Sequence, residues 1–121
     1  MMKRKPHRSA LLAAIVLTAG CATTGGRVGS TPPLHRPAEA GTLTLSRDGS
    51  LVGLFATMRV KLDQNDIYRL GRSQSVTLNL DPGDYLLEYS IGFNNCGRVV
   101  HLRPRQSFHL KLLPNCMMHE E

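Results

Sequence analysis

Between residues 75 and 91 apolar side chains fall on every second position. Val76, Leu78 and Leu80 alternate with polar residues, and Tyr85, Leu87, Tyr89 and Ile91 resume the pattern beyond Asp81-Pro82-Gly83-Asp84. A period of two belongs to a half-buried strand. Pro82 presets the second position of a turn, and Gly83 supplies the positive φ that a type II turn needs at its third. A four-residue turn here would set Leu80 opposite Tyr85 and Leu78 opposite Leu87. Type I and II turns splay a tight hairpin, however, because their twist opposes that of the strands. The favoured reading is a corner that carries the chain from one sheet to another, both strands still facing a shared core.

The same alternation runs on both sides of this unit. Thr42-Leu43-Thr44-Leu45 alternates and Arg47-Asp48-Gly49-Ser50 breaks it. Residues 51–56 are a continuous apolar run, expected as a buried edge strand or a packed loop. Met58, Val60 and Leu62 alternate with Arg59 and Lys61, Asp63-Gln64-Asn65-Asp66 reads as a four-residue turn, and Ile67-Tyr68-Arg69-Leu70 returns. Residues 97–102 and 107–113 complete seven or eight strands, spaced as in a β-sandwich or small barrel. No amphipathic helix of useful length follows Cys21.

The N-terminus has a different pattern. Lys3, Arg4, Lys5 and Arg8 precede an apolar run over residues 10–19, about half of the ~20 residues a membrane-spanning helix needs. A basic start, a short apolar stretch and then small residues is the layout of a secretory signal. The run ends in Leu17-Thr18-Ala19-Gly20-Cys21, which resembles the lipobox of bacterial lipoproteins. Thr18 stands where that family usually has Leu, and Leu17 lies one place further back. The resemblance implies cleavage before Cys21, a diacylglycerol thioether on its sulfur and acylation of the new amine. Residues 1–20 are then a lipoprotein signal peptide. The plain alternative is a signal cleaved near Ala19 or Ala22 that leaves Cys21 an ordinary thiol. Ala22, in place of an Asp, favours the outer membrane, with the protein facing the periplasm.

Residues 21–40 read as a lipidated flexible tether. Its Gly, Pro, Ser and Thr residues cannot bury enough apolar surface to offset the cost of ordering. As a coil it would span roughly 25 Å and hold the body clear of the headgroups.

Charge changes the picture only after the signal is set aside. The whole chain has 15 basic and 9 acidic side chains, a formal +6. Without the four N-terminal cations the balance is +2, with the charges scattered. That lacks the basic stripe that nucleic-acid binding requires.

The body, expected over residues 41–116, resembles a family of small bacterial lipoprotein domains of unknown function, related in pattern to PEGA domains. The likeness is carried by Leu43-Thr44-Leu45-Ser46-Arg47, Leu51-Val52-Gly53, Val60-Lys61-Leu62-Asp63 and Leu78-Asn79-Leu80-Asp81-Pro82-Gly83-Asp84-Tyr85. Asp63-Gln64-Asn65-Asp66 replaces the family's Asp-Gly turn. The resemblance implies an all-β immunoglobulin-like or transthyretin-like sandwich and no enzymatic activity. Tyr85 then falls where immunoglobulin-like sandwiches carry a corner tyrosine.

Cys96 and Cys116 remain once Cys21 is assigned to lipid, and an even pair in a secreted chain is expected to join. A hairpin with Pro104-Arg105-Gln106 as its loop sets Leu102 opposite Phe108. Continued outward, Cys96 faces Pro114, and Cys116 lies a diagonal step away, which a small bend at Pro114 would close. Arg98 then points toward the core near a strand end. The same register sets His101 opposite His109 on the outer face, where they read as solvated polar residues. The sharper alternative is a metal site completed by His119, with Met117 and Met118 nearby, in a C-terminal tail over residues 117–121.

No nucleophile, base and orienting group fall in a recognisable catalytic motif, and no Gly-rich phosphate loop leads into a helix. The expectation is a non-enzymatic, cofactor-free binding or accessory module. It is held to the membrane by its N-terminal lipid, with an envelope protein or glycan as partner and no nucleic acid. The alternative is a tethered metal or small-ligand binder or inhibitor using the His101/His109 face and the C-terminal Met/His tail.

Overall fold

Alternating apolar positions divide each strand into a dry side and a wet side, and two sheets meet on the dry one. The computed structural model describes residues 25–51 and 56–121. The signal-like segment, Cys21 and residues 52–55 of the apolar run lie outside the described residues. The strands are β1 (Gly26–Arg27), β2 (Gly41–Arg47), β3 (Met58–Leu62), β4 (Asn65–Leu70), β5 (Ser75–Leu80), β6 (Gly83–Ser90), β7 (Cys96–Leu102), β8 (Ser107–Leu112) and β9 (Met118–Glu120). One sheet has the order β1-β4-β3-β6-β7 and the other β5-β2-β8-β9. The fold is therefore the expected all-β sandwich. Among the described residues it has nine strands rather than seven or eight, because the segments read as tether and tail each contribute one.

The core lies between the sheets. Leu43 and Leu45 of β2, Val60 and Leu62 of β3, Leu87 and Tyr89 of β6, and Leu110 and Leu112 of β8 are all essentially inaccessible. Each such side chain contributes about 1.5–3 kcal/mol relative to leaving it exposed. β2 and β8 pair in parallel with Leu43 beside Phe108 and Leu45 beside Leu110, and the other pairings are antiparallel.

Turn chemistry sets the order of the strands. The β3–β4 connection is shorter than the four-residue turn expected. Asp63 and Gln64 alone make it, both with positive φ, 49° and 70°, as a type I′ turn matched to strand twist requires. Asp63 fits because its N–H donates to the Leu86 carbonyl and its carboxylate accepts from the Leu86 N–H, both at 2.8 Å. β5 and β6 lie in different sheets, so the chain turns a corner at Asp81-Pro82 and closes no hairpin there. Gly83 opens β6 with a φ of 155°. The Tyr85 hydroxyl donates to the Asp81 carbonyl at 2.6 Å across that corner.

The β7–β8 connection also turns a corner, which corrects the expected hairpin. β7 pairs with β6, and β8 pairs with β2 and β9. Either arrangement keeps Val100, Leu102 and Leu110 on the dry side, so alternation alone does not separate them. Arg105, with a φ of 58°, bends the connection. Its N–H donates to the Glu39 carbonyl, and the Gln106 carbonyl accepts from Thr42 N–H at 2.8 Å.

A two-layer sandwich leaves two open sides, and each is clasped. On one side the segment expected to be a free coil lies along β4 from residue 25 onward. Gly26 pairs with Arg69 and Arg27 with Tyr68, and Val28 N–H donates to the Ile67 carbonyl at 3.1 Å. A Cβ on Gly25 would sit 1.6 Å from the Arg69 carbonyl oxygen, and one on Gly29 2.0 Å from that of Asp66. These glycines permit close backbone approach, not looseness. Further on, the Asp81 carboxylate accepts the N–H groups of His35 and Arg36 at 2.8 and 2.9 Å, and Pro37–Glu39 forms a 3-10 turn into β2.

On the opposite side, Cys96 of β7 is bonded to Cys116 in the β8–β9 connection, with Cα atoms 5.1 Å apart. The pair joins the two sheets, not two strands of one hairpin. Arg98 reaches Glu120 of β9 at 3.2 Å and lies over the Phe108 ring, which is how an inward-directed cation at a sheet edge is accommodated. The Tyr89 hydroxyl donates to the Leu113 carbonyl at 2.8 Å. The tail is not frayed, since Met118 pairs with Leu112 and His119 with Lys111.

One charge is taken inside. Arg47, 2% exposed at the end of β2, donates from Nη1 to the carbonyls of Ala56 and Leu70 at 2.8 and 3.0 Å. Burial lowers its pKa and Asp48 works against that.

Two outcomes test the clasps. Replacing both Cys96 and Cys116 with Ala removes a cross-link over a separation of 20 residues, and urea unfolding should show a loss of about 3 kcal/mol in the chain-entropy model. An unchanged midpoint would rule the clasp out. At the other side, hydrogen bonds from the His35 and Arg36 N–H groups hold the Asp81 carboxyl below its ordinary value of 3.8. A depressed folded pKa gives stabilisation that is present above the unfolded value and lost as pH falls through the folded one. The His35 and Arg36 amide resonances should therefore shift as pH is lowered from about 5 to about 2. In Asp81→Ala they should sit at the released position throughout.

Candidate functional site

The wet face of the five-stranded sheet carries the strongest concentration of unneutralised side chains. On β3, Met58, Val60 and Leu62 point inward, so Arg59 and Lys61 stand outward. β6 adds Glu88 and Ser90 from its outer side. A register shift between Val60 and Lys61 then decides which charges meet. Lys61 stands between Asp66 of β4 and Glu88 of β6, whereas Arg59 stands between Arg69 and Ser90. Arg59, Lys61, Asp66, Glu88 and Ser90, with Phe93, Asn94 and Asn95 of the β6–β7 connection, line an open groove of about 320 Å³; Arg69 lies outside that lining, across from Arg59 on β4.

Arg59 and Arg69 are directly opposed cations. Like charges in that position cost stability, by about 0.2–1 kcal/mol. Among the described residues neither makes an ion pair. An anionic group placed over them would remove that cost, and the adjacent carboxylates, amides and hydroxyl would orient it by hydrogen bonds. No histidine lines the groove, and its residues supply charge and hydrogen bonds.

A second cavity, about 350 Å³, opens at one end of the sandwich between Asp48, Ser50, Asn94, Leu113, Pro114 and Asn115. The Asn94 side-chain amide donates to the Pro114 carbonyl and ties two of its connections together.

The structure distributes the residues singled out by sequence as follows. Cys21 lies outside the described residues. Cys96 and Cys116 are joined, and Pro82, Gly83 and Tyr85 form the corner. His101 and His109 are in different sheets and do not face one another, because β7 and β8 are not neighbours. His101 Nδ1 meets Asp84 at 2.6 Å in an exposed pair, while His109 meets Glu121 at 3.4 Å. His119 lies opposite Lys111. The register that set His101 opposite His109 is thereby corrected, and among the described residues no three His, Cys, Asp or Glu side chains, including those of the alternative metal reading, are grouped to hold a metal ion.

Arg59, Lys61 and Arg69 were read only as the polar half of alternating strands. Their grouping depends on the bulge and on β3 lying between β4 and β6, and neither is written in the local pattern. The one available signal was three cations within eleven positions on consecutive strands.

No protein-family model matches this chain, and a search of curated proteins finds no match.

Relieving the opposed cations should raise stability. Arg69→Thr is expected to raise the urea midpoint in low salt by an amount equivalent to about 0.5 kcal/mol, with the gain shrinking as salt screens the pair. A loss of stability, or a gain indifferent to salt, would show that the two guanidinium groups do not repel.

Proposed function

We propose that this chain is a bacterial lipoprotein whose sandwich is a non-catalytic binding module, held to the outer membrane by lipid on Cys21 and facing the periplasm. The address is supported by the basic start, the short apolar run and the lipobox-like Leu17-Thr18-Ala19-Gly20-Cys21. A disulfide between Cys96 and Cys116 fits a compartment in which such bonds persist. The resemblance to PEGA-like lipoprotein domains belongs to the same reading.

The observation that carries the binding role is the groove over β3 and β6, lined by Arg59, Lys61, Asp66 and Glu88, with Arg69 directly across from Arg59 on β4. Such a groove suits an extended, polar, anion-bearing chain of the envelope, either a glycan or a protein segment. Arg59 and Arg69 would hold the anion, Lys61 and Glu88 would set the direction of the chain, and Asn94 and Asn95 would bond its amides or hydroxyls.

Two measurements on protein taken from cells test this. Mass spectrometry should find Cys21 as the first residue, carrying diacylglycerol and an acylated amine. A photo-crosslinker at Ser90 should capture one discrete envelope component, and the double variant Arg59→Ser, Arg69→Ser should reduce that capture at least ~10-fold, the loss expected when a charge-assisted contact is removed. A crosslinker at Thr77 on the other sheet should capture none of it. An unmodified Cys21 removes the anchor, and capture that ignores the two arginines removes the groove.

A further inference from the structure

The described chain begins at one end of the sandwich. The Gly25 N–H donates to Gln74 Oε1 at 3.0 Å in the β4–β5 connection, and its backbone lies against the Arg69 carbonyl. The β2–β3, β6–β7 and β8–β9 connections gather at this same end. They bear Leu51, Phe93 and Met117, which are 67%, 108% and 52% exposed. Ser50, Asn94 and Asn115, close to those three in sequence, line one cavity. At the opposite end, the Asp63-Gln64, Asp81-Pro82 and Arg103-Pro104-Arg105-Gln106 turns carry none, and the single exposed Leu34, beside the His35 amide on Asp81, is 41% exposed. Three large apolar side chains gathered at one end are unfavourable in water.

The chain itself limits what can cover that end. Cys21 lies four residues before Gly25, and four extended residues reach at most about 14 Å. Taking Cys21 as lipidated, which rests on the reading above, its acyl chains enter the bilayer within that distance of Gly25. Of the coil expected to keep the body clear, residues 25–40 are instead laid along β4 and the Asp81 corner.

We infer that the body lies against the phospholipid surface with this end down, and that Leu51, Phe93 and Met117 seat themselves among the headgroups. Apolar side chains at an interface penetrate roughly 5–10 Å, to the boundary with the acyl region. Arg72, exposed in the β4–β5 connection with its Nε–H donated to the Gly49 carbonyl, adds attraction for anionic headgroups. In this posture the sheets stand away from the membrane, and the groove over β3 and β6 opens sideways with its Phe93 end at the lipid surface.

The chain contains no Trp, so one introduced indole reports its own surroundings. The mature protein would be purified from membranes as Phe93→Trp or as Val99→Trp, the latter on the outer face of β7. Each would be placed in phosphatidylethanolamine/phosphatidylglycerol vesicles with and without brominated phospholipid. Mass spectrometry of the same samples would read Cys21. The expected result is a blue-shifted Phe93→Trp emission that falls by about half or more when the lipid is brominated, as for a group at interfacial depth. Val99→Trp should be unaffected.

With Cys21 lipidated, equal and negligible quenching at both positions would overturn the docking and leave the anchor standing. A Phe93→Trp blue shift that depends on protein concentration and ignores bromine would overturn it in favour of a second copy. An unmodified Cys21 would remove the reach argument and the anchor together.

Discussion

Two stacked sheets can share a core only if their open sides are closed, and in this protein that closure is what everything else depends on. The nine short strands of the described residues, in a chain with three Phe, three Tyr and no Trp, make a thin aliphatic core. Water admitted along the disulfide side would reach Leu87 or Leu110, and along the strap side Ile67 or Leu78, within about one strand's width. The two sides are sealed by different means. One has a covalent bond between sheets, backed by the Tyr89 hydroxyl and the Arg98–Glu120 pair. The other has a backbone strap whose hold depends on two glycines and on the Asp81 carboxylate. Asp81 serves twice, because its carbonyl also receives the Tyr85 hydroxyl. The corner and the strap are therefore one unit.

With both sides sealed, the wet faces are free to carry charge arrangements that a marginal fold would otherwise avoid. The opposed Arg59 and Arg69 are such an arrangement, and the bulge in β4 at Ile67 that aligns Lys61 with Asp66 is part of it. The buried Arg47 is the internal counterpart. By donating to carbonyls of two other segments, it turns what would be an expense of desolvation into a joint between the end of β2 and its neighbours.

How much of this was legible depends on whether the signal is local. Alternation in residues 42–45, 58–62, 76–80 and 85–91 is local, and it located strands and core side chains correctly. The corner at Pro82 was legible because turn twist and strand twist disagree for a hairpin there. Which strands become neighbours is not local. Val100, Leu102 and Leu110 face inward whether β7 and β8 are adjacent or across the core, so the histidine pairing inferred from adjacency failed. The cysteine pairing survived because parity and compartment, not register, were its stronger grounds. Gly25 and Gly29 misled in another way. Composition treats glycine as a source of looseness, yet a residue without Cβ also lets one backbone lie directly on another, and only the neighbouring strand reveals which is meant. The grouping of Arg59, Lys61 and Arg69 was hidden for the same reason as the strand order.

The parallel pairing of β2 with β8 bears on when the fold can form. β2 is central in its sheet, yet one of its two neighbours arrives 65 residues later, as the Thr42–Ser107 contact shows. Until that segment has been made, β2 has only β5 beside it, and one flank of its ladder has no partner. Contacts so far apart in sequence make assembly slow. A nascent chain is therefore kept open almost to its last strand, and the two sheets close only when β8 arrives.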